Sequence, residues 1–329
     1  MKRATRLLSS LAIFLLLPLM AHAQSEDEHA FLWTQAGGMQ DLGTITGSQN
    51  SIAYGISQLG EVVGYDIIGN SATPFRWTSK AGMQAIPAFG TIYASAVAVN
   101  NSGEIIGDYY PNGTSSQRRA FIWTPTGGLQ DLGTLGGITA AVGGINRSGQ
   151  VVGSSTTASG VDHGFLWTQG GGMQDLGTFF PCAINDSGLM AGTTYAANGD
   201  PEAAVWNKGR ISILGAGVAC GINNRGQVVG TRYTPHGSSE QAFIWSPGGA
   251  GMQLLPQLPG AVASVGQAIN DSGEVVGWNF PPPGGNAYQA FIWTQAGGTQ
   301  DIGNLGGNYG AQAFAINDAG QVVGSSTIQ

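Results

Sequence analysis

The chain has little charge and few of the side chains on which enzymes and metal sites depend. Only 9% of its 329 residues are Asp, Glu, Lys or Arg, against about 25% in average proteins, and it has two cysteines and four histidines. No paired His or Cys has the spacing of metal ligands, so the sequence predicts no metal site and no cofactor. Three histidines follow the N-terminal segment, His29, His163 and His236, and no G-x-S-x-G motif accompanies them. Catalysis is therefore the less favoured alternative.

Long apolar runs are also missing, except at the N-terminus. Residues 1–23 combine a basic start with an apolar run from Leu11 to Met20 and the small-residue site Ala21-His22-Ala23. This pattern is typical of a cleaved secretory signal. A membrane anchor is the weaker alternative, because a span needs about 20 apolar residues. We expect a single mature domain, residues 24–329, that is secreted or periplasmic and has no membrane span.

The mature chain is acidic, with nine basic against nineteen acidic residues and a net charge of about −10. Its few basic residues are scattered, so nucleic acid is not expected as a partner. The 55 glycines are far above the average share of about 7%, and 42% of the residues are hydrophobic. This composition indicates a folded chain that is rich in turns.

A repeated motif dominates the sequence. Seven of the eight tryptophans occupy one position of a motif that resembles AFIWT, at intervals of 39–48 residues. The copies lie at 30–34, 74–78, 120–124, 164–168, 203–207, 242–246 and 290–294. Most copies continue through a Gly-containing turn to a segment such as MQDLG, then to a small-residue segment ending in Ile-Asn, and then to VVG. The sequence is therefore a tandem array of one supersecondary unit.

The turn between Ile-Asn and VVG has the clearest local signal. A glycine follows the Asn or Ser by three residues in every copy: Gly60, Gly103, Gly149, Gly188, Gly226, Gly273 and Gly320. A hairpin loop built on a type I turn needs a positive φ there, and the Asn can initiate the turn by bonding to its own backbone. A calcium loop is disfavoured because the alternating carboxylates and distal Glu are missing.

These units predict an all-β fold, a seven-bladed β-propeller with four strands per repeat. The small-residue segments fit the crowded innermost position, which gives the blade order small-residue strand, VVG strand, AFxWT strand and QDLG strand. The first two strands, at 30–34 and 39–43, would then complete a blade with residues 311–326, and the two ends would close the ring. A parallel β-solenoid or an open sandwich array is the alternative.

Other recurring residues have structural interpretations in this fold. The tryptophans are expected to pack between blades rather than to form ligand platforms. Asp41, Asp131, Asp175 and Asp301 fall on the outermost strand, where a charge guards the edge against pairing. Cys182 and Cys220 occupy one register in adjacent repeats, so their side chains follow rather than face each other. Two buried thiols are expected, and a disulfide is the alternative.

The compound motif resembles the HAF-repeat family of extracellular bacterial proteins. The resemblance rests on His29-Ala30-Phe31-Leu32-Trp33-Thr34, Gly-Gly, Asp-Leu-Gly-Thr and Ile-Asn-x-x-Gly-Gln-Val-Val-Gly, and it covers the mature chain. The chain departs from it because the second copy has Arg76 and the fifth lacks the Phe and Asp. The resemblance implies a secreted repeat protein and no particular activity.

The candidate site comes from the variable connections between VVG and AFxWT. Aromatic residues follow the VVG glycine within three positions in five copies, and one more lies late in its loop: Tyr65, Tyr109, Tyr110, Tyr195, Tyr233, Trp278, Phe280 and Tyr288. Variable loops on a rigid scaffold are a usual place for binding, and aromatic side chains suit sugar rings or a protein. The leading hypothesis is a binding module for a glycan or a surface protein. Aromatics that only pack between blades, and a structural or adhesive scaffold without a small ligand, are the alternatives.

Overall fold

The computed structural model describes residues 26–45, 48–69, 71–87, 89–91, 93–111, 117–233 and 240–329. The predicted signal, residues 1–23, and His236 lie outside the described residues. Within them the chain forms β-strands joined by turns and loops. No helix in this part of the chain is long and apolar enough to cross a membrane.

The strands follow the repeats. After β1 (Glu28–Thr34) and β2 (Gly38–Asp41), the next two repeats form β3 (Asn50–Ile56), β4 (Val62–Ile68), β5 (Ser71–Thr78), β6 (Gly82–Ala85), β7 (Ala94–Val99), β8 (Ile105–Tyr109), β9 (Arg119–Thr124) and β10 (Gly128–Asp131). They are followed by β11 (Gly136–Ile145), β12 (Val151–Thr157), β13 (Asp162–Thr168), β14 (Gly172–Asp175), β15 (Phe180–Ile184), β16 (Met190–Tyr195), β17 (Pro201–Asn207) and β18 (Arg210–Ile222).

The last third of the chain continues the pattern. Its strands are β19 (Val228–Tyr233), β20 (Glu240–Trp245), β21 (Gln253–Leu254), β22 (Ala263–Ile269), β23 (Val275–Phe280), β24 (Gln289–Thr294), β25 (Gly298–Asp301), β26 (Gly306–Ile316) and β27 (Val322–Ile328). Consecutive strands pair antiparallel in four-stranded sheets, except that β15 to β21 form one seven-stranded sheet. In that sheet β18 pairs with β17 over its first half and with β19 over its second half.

The two ends of the chain meet in one sheet, whose order is β2-β1-β27-β26. Strand β1 pairs antiparallel with β27 from Glu28 opposite Thr327 to Trp33 opposite Val322. The prediction that the first two strands join the last two is confirmed. This pairing explains why the sequence is nearly the same at both ends.

The strands rich in small residues contact one another in cyclic order. We call these seven strands, β3, β7, β11, β15, β18, β22 and β26, the inner strands. Each contacts the next along the chain, and β26 contacts β3. The expectation that small residues occupy the most crowded strands is confirmed.

Glycine at the end of VVG permits a close approach between strands. A Cβ at Gly64 would lie 1.8 Å from the carbonyl oxygen of Ile52, and a Cβ at Gly324 would lie 1.9 Å from that of Gln312. Each inner strand has a β-bulge beside this glycine, for example between Ala53 and Gly55. The bulge places one extra residue on each inner strand.

The turns after the inner strands hydrogen bond to one another around the same cycle. The Asn146 side chain donates to the carbonyl oxygen of Asn185, and Asn185 donates to that of Asn223, at 3.1 and 3.0 Å. Asn100, Asn223, Asn270 and Asn317 donate likewise, the last to Ser57. The Oδ1 atoms accept from backbone N–H groups of their own turns, and the seven predicted glycines have φ between 72° and 87°. The predicted Asn-initiated turn is confirmed.

The hydrophobic core consists of separate clusters between neighbouring sheets. The Phe of the AFxWT motif is at most 1% exposed in six copies, including Phe31 and Phe291, and four motif tryptophans, among them Trp167 and Trp293, are at most 8% exposed. In the fifth copy Ala204 replaces this Phe, and Phe179 from the preceding linker packs in the same cluster. Packing between sheets, as predicted for the tryptophans, therefore holds these four in place.

The recurring Asp on the outer strands makes specific hydrogen bonds, in addition to the edge protection that was expected. Asp41 Oδ1 accepts from the N–H of Gly43 at 2.7 Å, and its carboxylate bonds to His29 Nδ1 at 2.8 Å. His163 bonds to Asp175 in the same way, at 2.9 Å. These His–Asp pairs lie on β1–β2 and β13–β14, away from the inner strands. The Asp therefore initiates the turn that leaves the outer strand.

Candidate ligand-binding site on the loop face

The connections of the sheets lie on two opposite faces. The Asn-initiated turns lie on one, which we call the turn face. The loops from the second to the third strand of each sheet lie on the other, together with the links from one repeat to the next. We call this the loop face. Antiparallel pairing fixes the assignment, because successive connections alternate between the two ends of the strands.

The turn face has an open pocket of about 120 Å³ at the ends of the inner strands. Ile184, Ile222, Ile269 and Ile316 line it together with Asn223, Asp271 and other residues of the turns. The backbone N–H of Asp271 donates to Asp318 at 2.8 Å, and Asn224 donates to Asp271 at 3.0 Å. The polar groups here mainly join the turns to one another.

The predicted aromatic residues lie on or just after the second strands, except Tyr288, which precedes β24. Tyr65, Tyr109 and Trp278 are buried, with 3%, 7% and 8% of their surface exposed. The other five are half-buried, Tyr110, Tyr195, Tyr233, Phe280 and Tyr288. The structure therefore separates the predicted set into three packed rings and five rings with open surface.

Two of the packed rings join a chain of aromatic contacts that crosses three sheets. The ring centroids of Tyr65 and Tyr54 are 5.7 Å apart, those of Tyr54 and Phe314 are 5.3 Å apart, and those of Phe314 and Trp278 are 5.6 Å apart. We call these four residues the axial aromatic cluster. Tyr54 and Phe314 are the bulged residues of the inner strands β3 and β26, and both are half-buried.

Sequence reasoning missed Tyr54 and Phe314. The equivalent bulge residues of the other inner strands are smaller or not aromatic: Val97, Gly143, Cys182, Cys220 and Gln267. The sequence signal that could have found them is that Tyr54 and Phe314 are large aromatic residues within segments of small residues. The cycle of inner strands thus has two aromatic rings side by side and a run of small side chains, Gly143, Cys182 and Cys220, elsewhere.

A buried ion pair lies beside the cluster. Arg118 donates to Asp108 Oδ2, and the other oxygen of Asp108 accepts from the N–H of Val142 at 3.0 Å. Burial raises the pKa of Asp108, although Arg118 opposes the shift, and burial also raises the pKa of Tyr54. Among the described residues, Arg118 Nε and Trp278 Nε1 are buried without a hydrogen-bond partner. This part of the site combines aromatic rings with unused N–H donors and little net charge.

The half-buried rings form further pairs on the loop face. Tyr195 packs edge-on against Phe180 at 5.8 Å, Phe280 against Tyr288 at 5.5 Å, and Tyr110 against Tyr93 at 6.5 Å. Burial raises the pKa of Tyr233, with smaller contributions from Glu240, Cys220 and Tyr195. Aromatic pairs therefore come from three different sheets.

In the described part of the chain, the Tyr109 ring does not contact the rings of the axial aromatic cluster or the half-buried rings of the loop face. Its hydroxyl donates to Asp131 on the outer strand β10, and its ring stacks on Phe89 at 4.2 Å. Burial and the bond to Asp131 raise the pKa of Tyr109 to about 12. Tyr109 therefore belongs to the packing at the outer side of its sheet.

Both cysteines are free thiols, as expected from their register. Burial raises the pKa of Cys182 to about 11, so the thiol is protonated at neutral pH. Burial raises the pKa of Cys220 as well. Neither residue has the lowered pKa of a nucleophilic cysteine.

Comparisons with known proteins identify the fold. No protein-family model matches the sequence, and no curated protein matches it. The structure is similar to a putative TolB from Agrobacterium tumefaciens, with a TM-score of 0.53 and 9% identity over 93% of this chain and 100% of the other. It is similar to the β-propeller domain of the Trilobed protease from Pyrococcus furiosus, with a TM-score of 0.55 and 10% identity over 80% of this chain and 87% of the other.

TolB from Acinetobacter baumannii is a third similar structure, with a TM-score of 0.51 and 13% identity over 75% of this chain and 67% of the other. At these identities the likeness concerns the fold and not the ligands of the other proteins. The sheets, their pairing and these likenesses agree that the chain has a β-propeller fold.

Proposed function

We propose that the protein is a secreted β-propeller interaction module with seven blades, one for each repeat, and that it belongs with the HAF-repeat proteins. The blade count treats the seven-stranded sheet as two blades that share β18. The cyclic contacts of the seven inner strands and the cyclic bonds of their turns support this count. Secretion rests on the signal pattern of residues 1–23.

The ligand site that we propose lies on the loop face, over the axial aromatic cluster. The observation that carries this proposal is the chain of ring contacts from Tyr65 through Tyr54 and Phe314 to Trp278. The predicted rings Tyr110, Tyr195, Tyr233, Phe280 and Tyr288 lie around it on the same face. A closed propeller brings its blades together at the axis, so one ligand can contact several repeats.

The chemistry of the site favours a glycan over a charged ligand. Aromatic faces suit the apolar faces of sugar rings. The cation Arg118, beside the cluster, is neutralised by Asp108. A surface protein that presents an apolar loop is the second ligand class that such a site would take.

A glycan-array screen of residues 24–329 tests the proposal, with binding to one sugar class as the expected result. Tyr54→Val is the informative variant, because Val97 occupies the equivalent bulge in the next repeat and the fold accommodates it. We expect Tyr54→Val to weaken binding at least about tenfold, as for an aromatic hot spot. Tyr109→Phe is the matched control and should leave binding unchanged. Equal binding by folded Tyr54→Val would remove the cluster from the site.

A structural or adhesive scaffold is the second candidate, and one observation favours it. Several large apolar side chains on the loop face are 39–62% exposed: Ile68, Phe89, Ile138, Val161 and Val262. Exposed apolar surface on one face is typical of protein association. Sedimentation velocity across a concentration series tests this function. Self-association that disappears on replacing Ile138 and Val161 by serine would support the scaffold.

A further inference from the structure

The outer strand of the fifth repeat lacks the Asp that recurs on four other outer strands. Where four sheets have Asp at one position, Asp41, Asp131, Asp175 and Asp301, this strand has Ile213. The register shows the equivalence, since Asp41 lies opposite Phe31 and Ile213 lies opposite Ala204, the fifth copy of that motif position. The fifth repeat therefore has no carboxylate at this position to guard the edge of the sheet.

The first half of β18 is an exposed edge with apolar side chains. Ile211 and Ile213 are 40% and 57% exposed, two of only eight large apolar side chains that are exposed among the described residues. Lys208 and Arg210 precede them and are exposed as well, and neither forms a salt bridge within the described part of the chain. In a chain with a net charge of −7, this edge is locally positive and apolar.

The backbone of this edge is open for pairing. Asn207 lies opposite Arg210, and the two-residue loop between them has φ values of 47° at Lys208 and 90° at Gly209. Residues that flank such a loop form a hydrogen-bonded pair, and the pairs then alternate along the strands. The N–H and C=O groups of Ile211 and Ile213 therefore point away from β17. Strand β19 pairs with β18 only from Gly217 onward.

We propose that residues 208–214 bind an extended acidic segment of a partner protein, which adds to the sheet as one further strand beside β18. Backbone bonds to Ile211 and Ile213 would hold the segment, and carboxylates would face Lys208 and Arg210. A second copy of this chain fits less well, because paired edges of five residues bury far less than the roughly 1,600 Å² of a standard interface. The site is independent of the loop face.

The test uses residues 24–329 and a labelled nine-residue peptide of alternating glutamate and valine. Fluorescence anisotropy measures its binding, and hydrogen exchange followed by NMR locates it. We expect the amides of Ile211 and Ile213 to become protected, while those of Arg210 and Ser212, which already bond to β17, stay unchanged. A peptide with lysine in place of glutamate, or with proline at its centre, should not bind.

Ile213→Asp introduces the residue that four other outer strands have here and should weaken peptide binding by about tenfold or more. Ala85→Asp is the matched control, because Ala85 occupies the same position on β6, and it should bind the peptide normally. No binding of the acidic peptide, or equal binding by Ile213→Asp, would overturn the proposal. A dimer of the wild type that Ile213→Asp dissociates would also overturn it and assign the edge to a second copy.

Discussion

The asparagine cycle on the turn face gives the sharpest stability prediction. Asn223 is 3% exposed, and its side chain makes four hydrogen bonds. Its Oδ1 accepts from the N–H groups of Arg225 and Gln227 at 3.1 and 2.9 Å. Its Nδ2 donates to Gln227 Oε1 at 2.8 Å and to the carbonyl oxygen of Asn270 at 2.9 Å. The side chain thus shapes its own turn and binds the next one.

Asn223→Ala removes all four bonds and leaves buried partners without replacement. At a net contribution of about 1 kcal/mol for each bond, we expect a loss of about 3–4 kcal/mol in the free energy of unfolding. Urea unfolding followed by circular dichroism measures it, and an unchanged m-value would show that the folded state is otherwise intact.

Asn223→Ser is the matched variant, because the chain already has Ser57 at this position of another turn. Ser57 Oγ accepts from the N–H groups of Leu59 and Glu61 at 3.2 and 3.1 Å. Serine therefore keeps the two bonds within the turn but loses both Nδ2 bonds, to Gln227 and to Asn270, and we expect a loss of about 2 kcal/mol. Equal effects of alanine and serine, or a loss below about 1 kcal/mol for alanine, would refute this reasoning.

Three further predictions concern the turns, a buried tyrosine and the ends of the chain. Gly149→Ala should lower the free energy of unfolding by about 1 kcal/mol, measured by urea titration, because φ is 72° there. The pKa of Tyr109 is raised to about 12, so its contribution to stability should be complete below pH 10 and be lost as pH rises to 12. Thermal unfolding over this range should show a weaker pH dependence for Tyr109→Phe than for the wild type, because the other buried tyrosines with raised pKa values contribute in both proteins. Deleting residues 322–329 removes the partner of β1, and calorimetry should then show no cooperative transition.

Most of the fold could be predicted because the same local sequence signals recur in all seven repeats. The turn glycines, the small-residue inner strands and the shared end sheet follow from spacing and side-chain size. The continuous strand β18 could not be predicted in this way. It runs from the outer position of one repeat to the inner position of the next without the Asp-initiated turn, through Gly215 and Gly217 with φ of 147° and 135°.

The candidate site was only partly accessible to sequence reasoning. The loop aromatics could be selected by their position after VVG, but burial of Tyr65, Tyr109 and Trp278 depends on what the neighbouring sheets place against them. Tyr54 and Phe314 could not be assigned to the axis, because a β-bulge decides which way an inner-strand side chain points. The exposed edge at Ile213 has a sequence signal, since Ser212-Ile213 stands where four other copies have Gln-Asp.

The most direct test of the loop-face site is a crystal structure of residues 24–329 with the ligand that the glycan array selects. We predict that the ligand lies on the loop face, with a sugar ring against Tyr54 or Phe314. A ligand on the turn face, or between sheets at the outer strands, would contradict the proposed function.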